Sequence, residues 1–188
     1  MTIAADKKIW TDEAFMALPK DGGPYELIDG EVITISNSGM EHGNIATTLS
    51  FYLNSQIIPN KLGVLCDSST AFSLKSGNKR SPDISFIAKD RLKGLKRLPK
   101  GYFQGAPDLA VEIISPSNTF ESIHTKLVEY FANDCRLAWV VNPDEQWVMV
   151  YRQPQPDRLV KAAETLEGEE IIPGFTLPLA ELFAELDF

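Results

Sequence analysis

The sequence predicts an α/β or α+β fold in which helices flank a central mixed β-sheet. Short β-rich runs fill the middle of the chain, and two long helical patterns are placed before and after the main group of these runs. The chain has 188 residues, of which 44% are apolar, and this is enough for a sizeable core. We therefore expect a single domain over residues 1–188.

The first elements are a short helix, a hairpin and a long helix. A helical pattern begins at Thr11 and ends before Pro19. Two β-rich runs then meet at Asp29-Gly30, which predicts a hairpin because both residues tolerate a positive φ. Apolar residues recur at helical spacing over about 41–58, so one stripe of this helix should face the sheet.

The strands that follow are expected to build the sheet. They cover residues 63–67, 70–74, 83–88 and 108–114, with a basic loop over 89–106. Within the last run, alternation sends Leu109, Val111 and Ile113 to one face and Glu112 to the other.

The C-terminal part is predicted to begin with the second long helix. It covers about 119–133, with Asn118 as N-cap and Glu121 completing a pattern like a capping box. Two β-rich runs on either side of residues 143–145 predict another hairpin, and a short helix is expected near 179–185.

Composition predicts where the protein resides and whether its cysteines form a disulfide. The longest apolar runs are far below the ~20 residues that a membrane helix needs, and the N-terminus lacks the apolar stretch of a signal peptide. We therefore expect a soluble, cytoplasmic protein with no membrane partner. Cys66 and Cys135 stand far apart without companion ligands at metal spacing, which predicts free thiols.

The charge distribution is uneven. The formal net charge is -8, a sign that opposes tight non-specific binding to nucleic acid. Nine of the 18 Lys and Arg residues nevertheless fall between positions 75 and 100, against two acidic residues. The candidate phosphate-contacting residues in this stretch are Lys79, Arg80, Lys93, Lys96 and Arg97. The alternative is a basic surface that is merely solvated.

Two carboxylates at strand positions are the strongest chemical signal. Asp83 opens a predicted strand after Pro82, and Glu112 lies within an apolar strand. An ionised carboxylate in such a strand is costly to bury without a cation or a hydrogen-bond donor. Two of them converging from neighbouring strands would suit Mg²⁺ or Mn²⁺. The alternative is that Asp83 caps a turn and Glu112 pairs with an arginine.

Signature motifs of serine hydrolases, P-loop proteins, dinucleotide-binding proteins and zinc proteases are absent.

An ordered set of motifs resembles the Uma-two family of endonucleases. The motifs are YELIDGE (25–31), EH (41–42), PDISFI (82–87), PDLAVEIISPSN (107–118) and KLVEY (126–130). That family is similar to the PD-(D/E)xK restriction-endonuclease-like superfamily. The resemblance implies a mixed sheet flanked by helices, and Mg²⁺-dependent cleavage of phosphodiester bonds in nucleic acid, with DNA favoured.

The resemblance also implies site residues. Asp83 matches the aspartate of the PD element and Glu112 the acidic residue of (D/E)xK, so both would hold the metal. Ile114 stands where the superfamily has lysine. Lys126, on the following helix, is the expected substitute because that helix should fold back across the sheet. The alternative for Lys126 is an exposed lysine loosely paired with Glu129.

Three further residues are accessory candidates. Glu26 or Glu31 would add a third carboxylate, as superfamily members often do, although both could equally be solvated hairpin residues. His42 lies near the start of the long helix, where it could hydrogen-bond a carboxylate, contact a phosphate or merely cap the helix.

Three functions remain open on the sequence alone. The first is a Mg²⁺- or Mn²⁺-dependent endonuclease in which Lys126 orients the nucleophile or stabilises the transition state. The second is a nucleic-acid-binding or regulatory module that kept the fold and lost cleavage, as Ile114 would suggest. The third is an interaction protein with a purely structural ion network. Because the net charge is negative, the nuclease would need a protein partner, a homodimer or a narrow substrate preference.

Overall fold

The structure is a computed structural model, and it describes residues 10–19, 25–35 and 38–184. The helices are α1 (Asp12–Met16), α2 (Met40–Asn60), α3 (Phe120–Ala132) and α4 (Leu179–Leu182). The N-terminal strands are β1 (Tyr25–Ile28), β2 (Glu31–Thr34), β3 (Gly63–Asp67), β4 (Phe72–Ser73), β5 (Lys79–Arg80) and β6 (Ile84–Ala88). The later strands are β7 (Phe103–Gln104), β8 (Leu109–Ile113), β9 (Leu137–Asn142), β10 (Trp147–Tyr151), β11 (Arg158–Lys161), β12 (Thr165–Glu167) and β13 (Thr176–Pro178).

The strands form two larger sheets and one small one. The central sheet has the order β11-β10-β9-β8-β6-β3 and is mixed, because β8 and β9 are parallel while its other neighbours are antiparallel. The second sheet has the order β2-β1-β5-β4-β7, and β12 pairs with β13. The helix α3 connects the parallel pair β8 and β9. This α+β arrangement confirms the predicted mixed sheet flanked by helices.

The central sheet is covered on both faces by apolar side chains. On one face, the buried stripe of α2 packs against β8 and β9; the stripe consists of Ile45, Leu49, Leu53 and Ile57. On the other face, α3 packs through Ile123, Leu127 and Tyr130 beside Ala110 of β8. Alternation along β8 thus turns Val111 toward α2 and Glu112 toward α3, as the sequence predicted.

Local sequence signals explain the turns and caps. Asp29 and Gly30 adopt φ values of 51° and 85°, so the predicted hairpin closes with both central residues at positive φ. The N-cap of α3 is Thr119, whose Oγ1 accepts from the backbone of Ser122, and the prediction of Asn118 was wrong. The Asn118 carboxamide instead accepts from the backbone of Ser115, because it closes the preceding turn.

Element boundaries differ most where strands are short. The predicted strand over 70–74 is reduced to Phe72–Ser73, and the predicted basic loop contains a 3₁₀ turn at Lys89–Leu92 and the short strand β7. The C-terminal helix ends at Leu182, and residue 185 of its predicted range lies outside the described residues. Both cysteines are free thiols, as predicted. In the part of the chain that is described, none of the helices is long and apolar enough to cross a bilayer.

Candidate active site

Asp83 and Glu112 lie next to each other across two neighbouring strands. The antiparallel register of β6 and β8 pairs Ile84 with Val111, so the residues one step further, Asp83 and Glu112, face each other. Directly opposed residues of an antiparallel pair project to the same face of a sheet. The two carboxylates therefore share the face that α3 covers.

The backbone of β8 and the start of α2 hold Asp83. Its Oδ2 accepts from the backbone N–H of Ile113 at 2.7 Å and lies 3.2 Å from Nε2 of His42. The hydrogen bond to Asp83 raises the pKa of His42 above its ordinary value, although partial burial opposes this. None of the described residues bonds Oδ1 of Asp83, so this oxygen can still bind a ligand.

Two residues of α3 hold Glu112, which is buried. Lys126 donates from Nζ to Oε2 at 2.8 Å, and Tyr130 donates from its hydroxyl to Oε1 at 2.6 Å. Burial raises the pKa of Glu112, and Lys126 and Tyr130 act against this shift. Burial also raises the pKa of Tyr130, with the Glu112 charge adding to it, so the phenol stays protonated and donates.

Lys126 lies on α3 one helical turn before Tyr130, and its ammonium reaches the carboxylates. Residues four apart lie on the same helical face, which explains why both side chains meet Glu112. Burial opposes the charged form, but Glu112, Glu26 and Asp83 outweigh it and raise the pKa of Lys126. Its side chain is 17% exposed, so the alternative of an exposed lysine paired with Glu129 does not hold.

Glu26 is the third carboxylate near the site. Of the two accessory candidates in the β1–β2 hairpin, Glu26 and Glu31, it is the buried one. Its Oε1 accepts from the backbone N–H of Ser81 at 3.1 Å and lies 3.7 Å from Nζ of Lys126. Its Oε2 accepts from Arg80 at 2.9 Å. Glu31 is exposed on β2 and is not brought to this cluster. Of the two glutamates, only Glu26 is therefore placed to act with Asp83 and Glu112.

Two predicted phosphate contacts are buried instead. Arg80 donates to both Glu26 and Glu129 and is 3% exposed. Lys79 is 2% exposed and pairs with Asp12 of α1. Because carboxylates inside the protein occupy both cations, neither side chain is available to a phosphate in this structure. The expectation that Lys79 and Arg80 contact nucleic acid is corrected accordingly.

The remaining predicted basic residues lie away from the carboxylates. Lys93, Lys96 and Arg97 are exposed in the segment that leaves β6 after Ala88. Five strand residues separate that end of β6 from Asp83, which corresponds to about 16 Å at ~3.3 Å per residue. Their contact with phosphate stays a prediction.

The sequence did not predict that Tyr130 contacts the site, and it assigned Arg80 to phosphate contact and not to the carboxylates. Tyr130 belongs to the packing stripe of α3, and periodicity reports its burial but not the direction of its hydroxyl. The available signal was its spacing of four from Lys126. For Arg80 the signal was its place three residues before Asp83.

The donor set is one of carboxylate oxygens. Within the described ranges, no group of three or more His, Cys, Asp and Glu side chains is arranged to hold a metal ion. The pair Asp83 and Glu112 nonetheless offers oxygen ligands of the kind that Mg²⁺ and Mn²⁺ prefer. These two residues fit a hard cation in ligand type, with Glu26 beside them.

A central mixed sheet flanked by helices is the fold of the restriction-endonuclease-like class. The family model Uma2, described as "Putative restriction endonuclease", matches residues 12–180, and the chain belongs to this family. A crystal structure of "a putative nuclease belonging to DUF820" from Anabaena variabilis has a TM-score of 0.78. It is 23% identical, over 93% of this chain and 97% of that chain, and it shows the shared fold. No functionally curated protein matches the chain significantly.

Proposed function

We propose that this protein is a metal-dependent endonuclease that hydrolyses phosphodiester bonds of DNA. The observation that carries the proposal is the contact between Lys126 and Glu112, next to Asp83. This contact brings an ammonium to the carboxylate pair on one face of the sheet. It does so although Ile114 occupies the strand position at which the superfamily motif has lysine. The family description supports DNA as the substrate.

Asp83 and Glu112 are the residues that would hold Mg²⁺ or Mn²⁺, with Glu26 as an accessory ligand. When bound, such a cation supplies positive charge against the phosphate that is cleaved. The fit rests on ligand chemistry, because both residues offer carboxylate oxygens and Oδ1 of Asp83 is not bonded by a described residue.

Lys126 acts as a fixed positive charge in this proposal. Its raised pKa means that the amine keeps its proton at neutral pH, so it is unsuited to accept a proton from water. A protonated amine can instead donate hydrogen bonds to the attacking water or to a phosphate oxygen. Either contact stabilises the negative charge that develops during hydrolysis.

Neighbouring residues position the carboxylates. The backbone of Ile113 and the imidazole of His42 fix Asp83, and Tyr130 fixes one oxygen of Glu112. Arg80 holds Glu26 and offsets its charge. Holding the groups in place before substrate binds lowers the cost of organising them during the reaction.

The non-catalytic module is the weaker candidate. It rested on Ile114, which packs against the apolar cluster of α3 and takes no part in the site. Lys126 brings an ammonium to the same carboxylate from the helix. We also propose that a protein partner, a homodimer or a narrow substrate preference supports binding of nucleic acid, since the net charge of -8 opposes tight binding by one chain.

The test is cleavage of supercoiled plasmid DNA and of single-stranded DNA with Mg²⁺, with Mn²⁺ and with EDTA. We expect cleavage with either metal and none with EDTA, and loss of cleavage in Asp83→Asn and Glu112→Gln. The matched control is Glu121→Gln, which changes an exposed carboxylate in the first turn of α3. Metal-dependent cleavage that persists unchanged in Asp83→Asn would contradict the proposal, as would no cleavage by the wild type.

A further inference from the structure

A cavity of about 790 Å³ lies beside the candidate active site. Most of its walls come from α1, β3, the segment 68–71 and the segment 98–103, and Tyr25 and Ser81 complete them near the site. Pockets that bind small molecules or single substituents of a larger substrate fall in the range of about 300–1,000 Å³. The cavity is therefore large enough for a base with its sugar.

Ser81 joins the cavity to the carboxylate cluster. The residue lines the cavity, and its backbone N–H donates to Oε1 of Glu26 at 3.1 Å. Glu26 Oε1 lies 3.7 Å from Nζ of Lys126. The cavity wall and the candidate site thus share a residue.

The sheet register places one end of the cavity near Asp83 and on its face, while Val64 and Ile87 extend the lining toward the other end of β6. Asp67 at the end of β3 pairs with Ile84, the residue after Asp83, so the segment 68–71 begins at that end of the sheet. Cys66, which lines the cavity, pairs with Ser85, and Ser85 shares the face of Asp83 because it lies two residues further along. The cavity therefore begins beside the end of β6 where Asp83 lies.

The lining combines aromatic rings, hydroxyl groups and a cation. Tyr25, Tyr102 and Phe103 line the cavity, and Ser69 and Thr70 contribute hydroxyls. Lys79 lies 5.0 Å from the centre of the Tyr102 ring and Arg91 lies 4.8 Å from that of Phe103, so a base would use the other face of each ring. Lys100, exposed, also borders the cavity. Rings stack on base faces, hydroxyls hydrogen-bond to base edges, and an ammonium pairs with the adjoining phosphate.

We propose that the cavity receives an unstacked base of the substrate strand next to the phosphate that is cleaved. The enzyme would then act on single-stranded or locally unpaired DNA, because a base inside an intact duplex is stacked and paired and cannot enter a side cavity. This inference rests on the proposed function and specifies its substrate class.

Two leucines of one segment provide a matched pair of variants. Leu98 lines the cavity and is 52% exposed, whereas Leu95 is 48% exposed and is not part of the lining. Leu98→Trp places a larger ring at the cavity wall, and Leu95→Trp adds the same ring outside the lining. Loss of base stacking weakens binding by about tenfold or more, so we expect that effect on single-stranded DNA in Leu98→Trp only.

Cys66 reports occupancy without requiring cleavage. It is half-buried in the cavity wall, whereas Cys135 is buried in the core. Burial raises the pKa of the Cys66 thiol, so alkylation by N-ethylmaleimide is followed at mildly alkaline pH in EDTA. We expect a single-stranded oligonucleotide to slow alkylation of Cys66 in the wild type and in Leu95→Trp, and a duplex of the same sequence to leave it unchanged.

The outcomes separate this inference from the proposed function. Metal-dependent cleavage with no protection of Cys66, and with equal activity in Leu98→Trp and Leu95→Trp, would overturn the cavity assignment and leave the nuclease standing. Protection of Cys66 by single-stranded DNA in a protein that cleaves nothing would overturn the nuclease and retain the cavity as a base-binding site. Equal protection by the duplex would overturn the claim for unpaired DNA.

Discussion

Replacing Lys126 with methionine removes the ammonium that balances the buried charge of Glu112 and keeps most of the aliphatic stem. The lost contact is 2.8 Å long, and the Glu112 side chain is 6% exposed, so water cannot replace the partner. Removing one member of a buried ion pair typically costs ~3–5 kcal/mol. Because Lys126 is 17% exposed, we expect the lower end, about 3 kcal/mol.

For a chain of this length, that loss corresponds to a decrease in Tm of about 6–12 °C. Calorimetry or circular dichroism in EDTA measures it. The pKa of Glu112 is already raised, and losing Lys126 raises it further. A raised carboxyl pKa adds stability that is fully present below the ordinary pKa and is lost as pH rises through the raised value. The decrease in Tm should therefore be larger at neutral pH than at acidic pH.

The double variant Lys126→Met with Glu112→Gln is the control for this reasoning. It removes the unbalanced charge, so it should recover most of the stability that Lys126→Met loses. If Lys126→Met melts within a degree or two of the wild type, or if Glu112→Gln brings no recovery, the ion pair contributes little and its place in the site is refuted.

Three further variants probe two groups at the site and the exposed basic segment. Arg80→Met leaves Glu26 and Glu129 without their shared cation and should cost about 3 kcal/mol or more in urea unfolding. Tyr130→Phe leaves Oε1 of Glu112 without its donor and should cost about 1–3 kcal/mol in the same assay. Replacing the three exposed cations of the 89–106 segment (Lys93, Lys96 and Arg97) with Gln should weaken DNA binding across all sequences. The slope of log affinity against log salt should become shallower by up to about 2.7.

Each of these variants has a result that would contradict it. Arg152 also contacts two carboxylates, but its side chain is 48% exposed. Arg152→Met should therefore lower the free energy of unfolding by less than about 1 kcal/mol. Equal decreases in Arg80→Met and Arg152→Met would show that burial of the arginine does not matter here. If Tyr130→Phe is as stable as the wild type, the Tyr130 hydroxyl does not stabilise Glu112. An unchanged slope of log affinity against log salt would show that the basic segment does not contact phosphates and is only a solvated surface.

Local signals were sufficient for most of the fold. The Asp29-Gly30 turn, the stripe of α2 and the alternation along β8 each follow from a few consecutive residues, and the structure confirms all three. The two-residue strands β5 and β7 were not predicted. Strands this short carry no periodicity, and they form because distant segments pair with them.

The site was predictable in its carboxylates and less so in its cations. Asp83 and Glu112 were selected from their strand positions and the family resemblance, and Lys126 from the expected direction of its helix. The structure brings the Lys126 ammonium to Glu112, which faces Asp83 across the strands. Lys79 and Arg80 were misjudged because their burial depends on carboxylates far away in sequence, such as Asp12, which is 67 residues from Lys79. Charge counting does not distinguish a solvated cation from one that is already neutralised inside the protein.

Placing the lysine on α3 changes which insertions the fold tolerates. When carboxylate and lysine share a strand, their spacing is fixed by the strand itself. Here the turn between β8 and Phe120 can lengthen or shorten without moving Lys126, provided that α3 still docks through Leu127 and Tyr130. Relatives with the same chemistry should therefore show variable numbers of residues between glutamate and lysine, but a constant helical phase between the lysine and the apolar stripe that follows it.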